Sequence, residues 1–359
     1  MQAWLNSNLL WTQFLVCGAL IVLSGMKLSR LGDIIGEKLK IGSTWIGLVL
    51  LAAVTSMPEL ITSCTAGAIG APDMAVGNLF GSNLFNLAIL GILGVAMPRL
   101  ARWNDENKGH ILSCGLNQLI MSVAIVAIVL YRVARDKMSL QEFSLANIPI
   151  GLCSITLVAV YLLSMYLLFV YERKSNSSAQ AAEESYKDEK LLNASVKFAL
   201  FSAVIVGAGW RMVILGDILA EKPINLFGTQ LILGQSVIGT FFLAVATSLP
   251  EFTVCFAAIR MGSMDMAIGN VFGSNIFNLA TIFLADVFYT GGPILANIGA
   301  IHLATGTIVI LISVIFILSS KFRPLFVGFG HLPISITIVL LWLYGWALVF
   351  FFGGGPSGP

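Results

Sequence analysis

The chain has 359 residues, 57% of them apolar, with a mean hydropathy of +0.91 and a net charge of +2. Only 11% are charged, where a soluble domain carries about 25%. A single water-soluble core is thereby excluded, and the near-neutral charge leaves no footprint for nucleic acid.

A bilayer crossing needs roughly 20 mostly apolar residues. Ten such stretches run along the chain: 9–29, 43–69, 73–97, 111–132, 147–171, 192–219, 229–259, 265–289, 297–319 and 331–352. The first lacks a preceding basic segment and reads as a span rather than a cleavable signal peptide. The five cysteines, Cys17, Cys64, Cys114, Cys153 and Cys255, lie in apolar runs without disulfide or metal-knuckle spacing, and read as small buried apolar residues. The long polar segment Glu172 to Lys190 divides the spans into two groups of five. The expected organisation is 1–172 as a first five-helix unit, 173–191 as a cytoplasmic linker, 192–352 as a second unit, and 353–359 (GGGPSGP) as a linker-like tail or scar.

Lysine and arginine positions orient the spans. With the N-terminus outside, the inward loops hold fifteen basic residues: Lys27, Arg30, Lys38, Lys40, Arg99, Arg102, Lys108, Arg173, Lys174, Lys187, Lys190, Lys197, Arg260, Lys321 and Arg323. The outward loops hold four, Arg132, Arg135, Lys137 and Lys222, and Arg211 falls within a span. The bias places both termini outside.

Residues 73–88 read DMAVGNLFGSNLFNLA and residues 265–280 read DMAIGNVFGSNIFNLA, identical at thirteen of sixteen positions at an offset of 192. The same offset aligns TSMPE (55–59) with TSLPE (247–251). Because each half has an odd number of spans, the halves enter the membrane in opposite senses, as in transporters whose site lies at the repeat interface. The fold class expected is an all-α integral membrane protein of two inverted five-helix repeats, with helices 2, 3, 7 and 8 forming the core.

Glu59 and Glu251 each sit inside an apolar span, where translocon scales put an acidic residue at about 2.5–3.5 kcal/mol. A lone glutamate of this kind could be structural; two in equivalent repeat positions, with no repeated intramembrane Lys or Arg to pair them, point to a cation site. Pro58 and Pro250 break the helix and free the carbonyls of Val54 and Ala246, which need a partner away from water; a packing kink is the plainer reading of either proline alone. Thr55 and Thr247 precede the glutamates by four residues and share their helical face. Asn78, Ser82 and Asn86 form an i, i+4 polar stripe repeated as Asn270, Ser274 and Asn278, in which Asn78 and Asn270 could equally serve as interhelical hydrogen-bond partners. Gly77 and Gly81, with Gly269 and Gly273, allow close helix approach. Two carboxylates with hydroxyl, amide and carbonyl oxygens, and no convergent His or Cys, make a hard-cation set suited to Ca²⁺ or Na⁺ rather than zinc or copper. His110, His302 and His331 read as interfacial groups at span ends.

At these residues, TSMPE with GNLFGSNLFN and TSLPE with GNVFGSNIFN, the chain resembles the sodium/calcium exchanger family of the calcium/cation antiporters, and its short central loop resembles prokaryotic members. The resemblance implies that Glu59, Glu251, Thr55 and Thr247 hold Ca²⁺ and share Na⁺ sites. It implies that Ser56, Ser82 and the Ala52 carbonyl form one flanking Na⁺ site and Ser248, Ser274 and the Ala244 carbonyl the other, with Asn86 and Asn278 lining the centre. Asn278 is aspartate in some members, a change associated with potassium dependence; asparagine here argues against potassium coupling. The implied activity is Na⁺/Ca²⁺ antiport by alternating access in a prokaryotic inner (plasma) membrane, with Ca²⁺, Na⁺ and the bilayer as partners, and with no cofactor, enzymatic activity or obligatory protein partner. Three Na⁺ against one Ca²⁺ would move one charge per cycle. A Ca²⁺/H⁺ exchanger is the alternative, since two protons neutralise two glutamates equally well. A channel or intramembrane hydrolase is a different class, and the hydrolase lacks a His or Lys to pair with Ser82 or Ser274.

Overall fold

A computed structural model describes residues 7–39, 43–98, 108–133, 142–145, 148–176, 186, 189–220, 224–226, 229–231, 244–321 and 332–352. In chain order the helices are α1 (Ser7–Leu39), α2 (Ala52–Thr55), α3 (Met57–Ala68), α4 (Pro72–Ala96), α5 (Lys108–Val133), α6 (Leu152–Asn176), α7 (Leu191–Ala220), α8 (Ala244–Thr247), α9 (Leu249–Arg260), α10 (Met264–Phe288), α11 (Ile301–Lys321) and α12 (Leu332–Phe352). A short lead-in, Ser43–Trp45, and a π-helical turn, Ile46–Leu51, precede α2. Among the described residues eight helices are long and apolar enough to cross a membrane. The stretch Ile46–Thr55 with Met57–Ala68, bent by 45°, makes nine if it is one span. The seventh expected span, 229–259, is described only at 229–231 and in α8 and α9; residues 232–243 lie outside the described set, as do His331 and the tail 353–359.

Several span limits move. α1 runs ten residues beyond 29, carrying Lys27, Arg30 and Lys38 on helix. The span expected from 147 begins at Leu152, because β2 (Ile148–Gly151) pairs antiparallel with β1 (Glu142–Leu145). Pro149 does not favour helix in the residue before it, and the Gly151 amide donates to Asp286 Oδ2 at 2.9 Å, fixing the strand end against α10. A second hairpin, β3 (Ile224–Leu226) with β4 (Thr229–Leu231), likewise takes the first residues of the seventh expected span. The span expected from 297 starts at Ile301, after a 3₁₀ turn at Ile294–Ala296 whose first amide donates to Asp286 Oδ1.

Burial separates a core from a shell. In the most apolar stretch of α4, 83% of residues are buried, and in that of α10, 72%; in α6 and α7 the share is 22%. α4 and α10 pack on each other at the centre, while α1 lies along α7 and exposes Leu15 and Leu23 on the outside. Lipid supplies no hydrophobic drive between helices, so close backbone approach at small residues matters more. Gly269 and Gly273 of α10 supply it. A Cβ on Gly273 would meet the Leu48 carbonyl, one on Gly269 the Thr44 carbonyl, and one on Gly47 the Met266 carbonyl. The π-helical turn therefore lies with its backbone directly against α10.

The halves turn alike. Gly70 (φ 77°) and Gly262 (φ 81°), 192 residues apart, take the left-handed conformation between α3 and α4 and between α9 and α10. Each closes a Schellman turn, with Ala71 N to Ala66 O and Ser263 N to Ala258 O both at 2.9 Å. Two His–Asp pairs then cross between the halves. His110 Nε2 lies 2.7 Å from Asp265 Oδ1, and His302 Nε2 lies 3.0 Å from Asp73 Oδ1. These histidines do stand at helix starts, but they are buried and bind the first turns of α10 and α4 instead of facing headgroups. On α1, Asp33 Oδ2 accepts from the Tyr186 hydroxyl and Glu37 Oε1 from the Tyr186 amide, each at 2.9 Å. Burial, and then the Asp33 carboxylate, push the Tyr186 phenol up to about 12.

Gly273→Ala is expected to lower stability by about 1–3 kcal/mol, the range for overpacking, since its Cβ would strike backbone. Gly207→Ala on α7, where nothing lies within 4 Å, is expected to be neutral or mildly stabilising. Thermal unfolding in detergent compares the two.

Candidate functional site

The helix breaks are what bring the site residues inward. α2 stops at Thr55 and α3 starts at Met57, with Ser56 at φ −87°, ψ 7°; α9 follows Ser248 at φ −86°, ψ 10°. The breaks fall two residues before Pro58 and Pro250, which occupy the first turns of α3 and α9, where a missing N–H costs nothing. Thr55, Ser56, Glu59, Thr247, Ser248 and Glu251 are all fully buried, as are Asn78, Ser82, Asn86, Asn270, Ser274 and Asn278 on α4 and α10; Ala52 and Ala244 are buried beside them.

Contacts across the halves come in matched pairs. Ser56 Oγ donates to Glu251 Oε1 at 2.9 Å, and Ser248 Oγ donates to Glu59 Oε1 at 2.9 Å. Ser82 Oγ reaches Glu59 Oε1 at 3.3 Å and Ser274 Oγ reaches Glu251 Oε1 at 3.4 Å. Thr55 Oγ1 lies 3.4 Å from Ser274 Oγ, and Thr247 Oγ1 lies 3.3 Å from Ser82 Oγ. Each bond has its counterpart at the offset of 192. The site is thus a two-fold arrangement in which the hydroxyl after each threonine serves the opposite half's carboxylate.

The grouping differs from the one the resemblance implied. Ser82 sits with the Ala244 carbonyl (3.5 Å), Thr247 and Glu59, not with Ala52 and Ser56. Ser274 sits with Thr55 and Glu251, not with Ala244 and Ser248. The cause is the crossing: α4 faces the break before α9, and α10 faces the break before α3. Asn78 and Asn270 take the plainer of their two readings. Asn78 donates to Ser63 Oγ (3.0 Å) and accepts from Thr247, while Asn270 donates to Cys255 Sγ (3.5 Å) and accepts from Thr55.

Four oxygens of this site are buried without a hydrogen-bond partner among the described residues, Glu59 Oε2, Glu251 Oε2, Asn86 Oδ1 and Asn278 Oδ1. They form two pairs at the offset of 192, and an unsatisfied buried acceptor costs about 1–3 kcal/mol. Acceptor-only atoms repeated in this way fit a cation. The groups that converge on the two carboxylates are serine and threonine hydroxyls and amide oxygens, an oxygen set that fits a hard ion. Asn83 and Asn275, which stand off the i, i+4 stripe, occupy the centre. Asn83 Nδ2 donates to the Asn275 main-chain carbonyl and Asn275 Nδ2 to that of Asn83, both at 3.2 Å.

An oxygen-lined, two-fold intramembrane site in a helical bundle is the architecture of an ion transporter. The family model of the sodium/calcium exchanger protein matches residues 9–171 and 195–353. The chain belongs to that family. It is 30% identical over 281 residues to the sodium/calcium exchanger MaX1 of Methanosarcina acetivorans, covering 71% of this chain and 76% of the relative. It is 24% identical over 295 residues to the inner membrane protein YrbG of Escherichia coli, covering 80% and 82%. Its fold resembles that of the sodium-calcium exchanger NCX_Mj with a TM-score of 0.63 at 19% identity, covering 94% of this chain and 98% of the other. It is an integral membrane protein of a cation antiporter family.

Ser56→Ala and Ser248→Ala each remove one of the matched 2.9 Å bonds. Each is expected to destabilise the ion-free protein by about 1–3 kcal/mol, and by similar amounts, as thermal unfolding in chelator would register.

Proposed function

We propose that the chain is a secondary active antiporter that exchanges Na⁺ for Ca²⁺ by alternating access. The single observation that carries this is the set of four partnerless buried oxygens on Glu59, Glu251, Asn86 and Asn278. In this reading Glu59 and Glu251, with Thr55 and Thr247, hold Ca²⁺. The flanking Na⁺ sites are Ser82, Ser248, Thr247 and the Ala244 carbonyl with Glu59 on one side, and Ser274, Ser56, Thr55 and the Ala52 carbonyl with Glu251 on the other. Asn86 and Asn278 complete the centre.

Two carboxylates are neutralised by one Ca²⁺. Three Na⁺ in their place leave one positive charge, so each cycle carries one charge, worth about 2.3 kcal/mol per 100 mV. The membrane arrangement that suits this is ten spans, two inverted repeats over 1–172 and 192–352, a cytoplasmic linker at 173–191, and both termini outside a prokaryotic inner membrane. The support for inversion is the basic-residue bias together with cross-half contacts that recur at the offset of 192.

Purified protein in liposomes loaded with Na⁺ is expected to take up ⁴⁵Ca²⁺ when diluted into Na⁺-free buffer, and faster at an inside-positive potential. Glu59→Gln and Glu251→Gln are each expected to abolish uptake. Uptake driven by a proton gradient and indifferent to Na⁺ would overturn the reading in favour of Ca²⁺/H⁺ exchange. Robust Na⁺-driven exchange in either glutamine variant would overturn the assigned site.

A further inference from the structure

The amides at the centre of the site form a chain whose polarity is set by the backbone. A main-chain carbonyl only accepts. Asn83 meets the Asn275 carbonyl, so it must present Nδ2 there and turn Oδ1 the other way. That oxygen can only accept, so Asn278 must present its own Nδ2 to it, at 3.1 Å. Asn278 Oδ1 is then the atom left over, and it is one of the site's four buried oxygens without a partner. The other half repeats each step. Asn275 Nδ2 meets the Asn83 carbonyl, Asn275 Oδ1 accepts from Asn86 Nδ2 at 3.1 Å, and Asn86 Oδ1 is left over. Asn83 and Asn275 are both fully buried, so in this conformation each takes its partners from the protein.

We infer that Asn83 and Asn275 are positioning residues that lock the side-chain amides of Asn278 and Asn86 with oxygen, not N–H, toward the transported cation. The inference rests on the cation site proposed above. An amide has two faces of opposite polarity in almost the same shape. Turned one way it offers the ion a ligand, and turned the other way it offers two N–H donors that repel it. Nothing else among the hydrogen bonds of Asn278 or Asn86 decides between the two: among the described residues each side chain has the one partner. The main-chain carbonyls of Asn275 and Asn83 decide it at one remove. Asn86 lies one turn along α4 from Ser82, which touches Glu59, so the oriented oxygen belongs to the same face as the carboxylate. The motif residue after each Gly-Ser therefore sets the sign of a neighbouring ligand without touching the ion itself.

The test is a double-mutant cycle on Na⁺-driven ⁴⁵Ca²⁺ uptake. Asn83→Leu keeps the volume and removes the acceptor for Asn278. The KM for Ca²⁺ is expected to rise about tenfold, with the maximal rate falling much less. Asn278→Asp presents oxygen in either orientation, so on that background the same Asn83→Leu change is expected to move KM by less than about twofold. Asn275→Leu with and without Asn86→Asp repeats the cycle in the other half and serves if the first pair fails to insert. An equal rise on both backgrounds would mean that Asn83 only supports packing, and would overturn the inference. So would an unchanged KM in folded Asn83→Leu protein. Absence of Na⁺-driven uptake by the unsubstituted protein would instead defeat the functional reading beneath it.

Discussion

Two carboxylates buried in a membrane are held at one oxygen each and left open at the other, and the surrounding architecture follows from that. Ionised groups are expensive in this setting, and hydroxyl donors offset only part of the cost. Ser56 and Ser248 satisfy Oε1 of the opposite glutamate, while Oε2 on both remains without a partner. A site built this way has oxygens open to a positive charge. The reciprocal bonds also tie the halves together, because each carboxylate accepts from a serine of the other repeat as well as from one of its own.

The scaffold's features are those that bring the two half-sites together. Helix breaks at Ser56 and Ser248 turn hydroxyls inward without exposing backbone to lipid, since the breaks lie within protein. Glycines at 269 and 273 let the π-helical turn before Ala52 lie against α10. His110–Asp265 and His302–Asp73 join the first turns of α10 and α4 to helices of the opposite half. The less buried α1 and α7 pair with each other on the outside of this core.

The site was legible in the sequence because it is written twice. An offset of 192 aligns the glutamates, threonines, serines and asparagines, and all of them converge. The same offset relates His110 to His302 and Asp73 to Asp265, a pairing that shows only when the four positions are taken together and not when each histidine is taken as a lone group at a span end. Asn83 and Asn275 are harder to single out within the repeated motif because they lie off the i, i+4 stripe. Their role depends on main-chain carbonyls of the other half, which no side-chain pattern encodes. The grouping of Ser82 with Ala244 was hidden for a similar reason: linear order says nothing of which half faces which. The hairpins are hard to see in sequence because one short strand of each, β2 and β4, lies inside a stretch that is apolar enough to read as helix.

The central claim is that one hard cation sits between Glu59 and Glu251. Crystals of the protein grown with Ca²⁺ and measured at long wavelength test it most directly through the anomalous signal of calcium. The account predicts a single strong peak at direct-ligand distance, about 2.3–2.6 Å, from oxygens of both glutamates, and its loss in crystals grown with Na⁺ alone. A Ca²⁺ peak elsewhere, or one bound to a single glutamate with the other paired to protein, would contradict it.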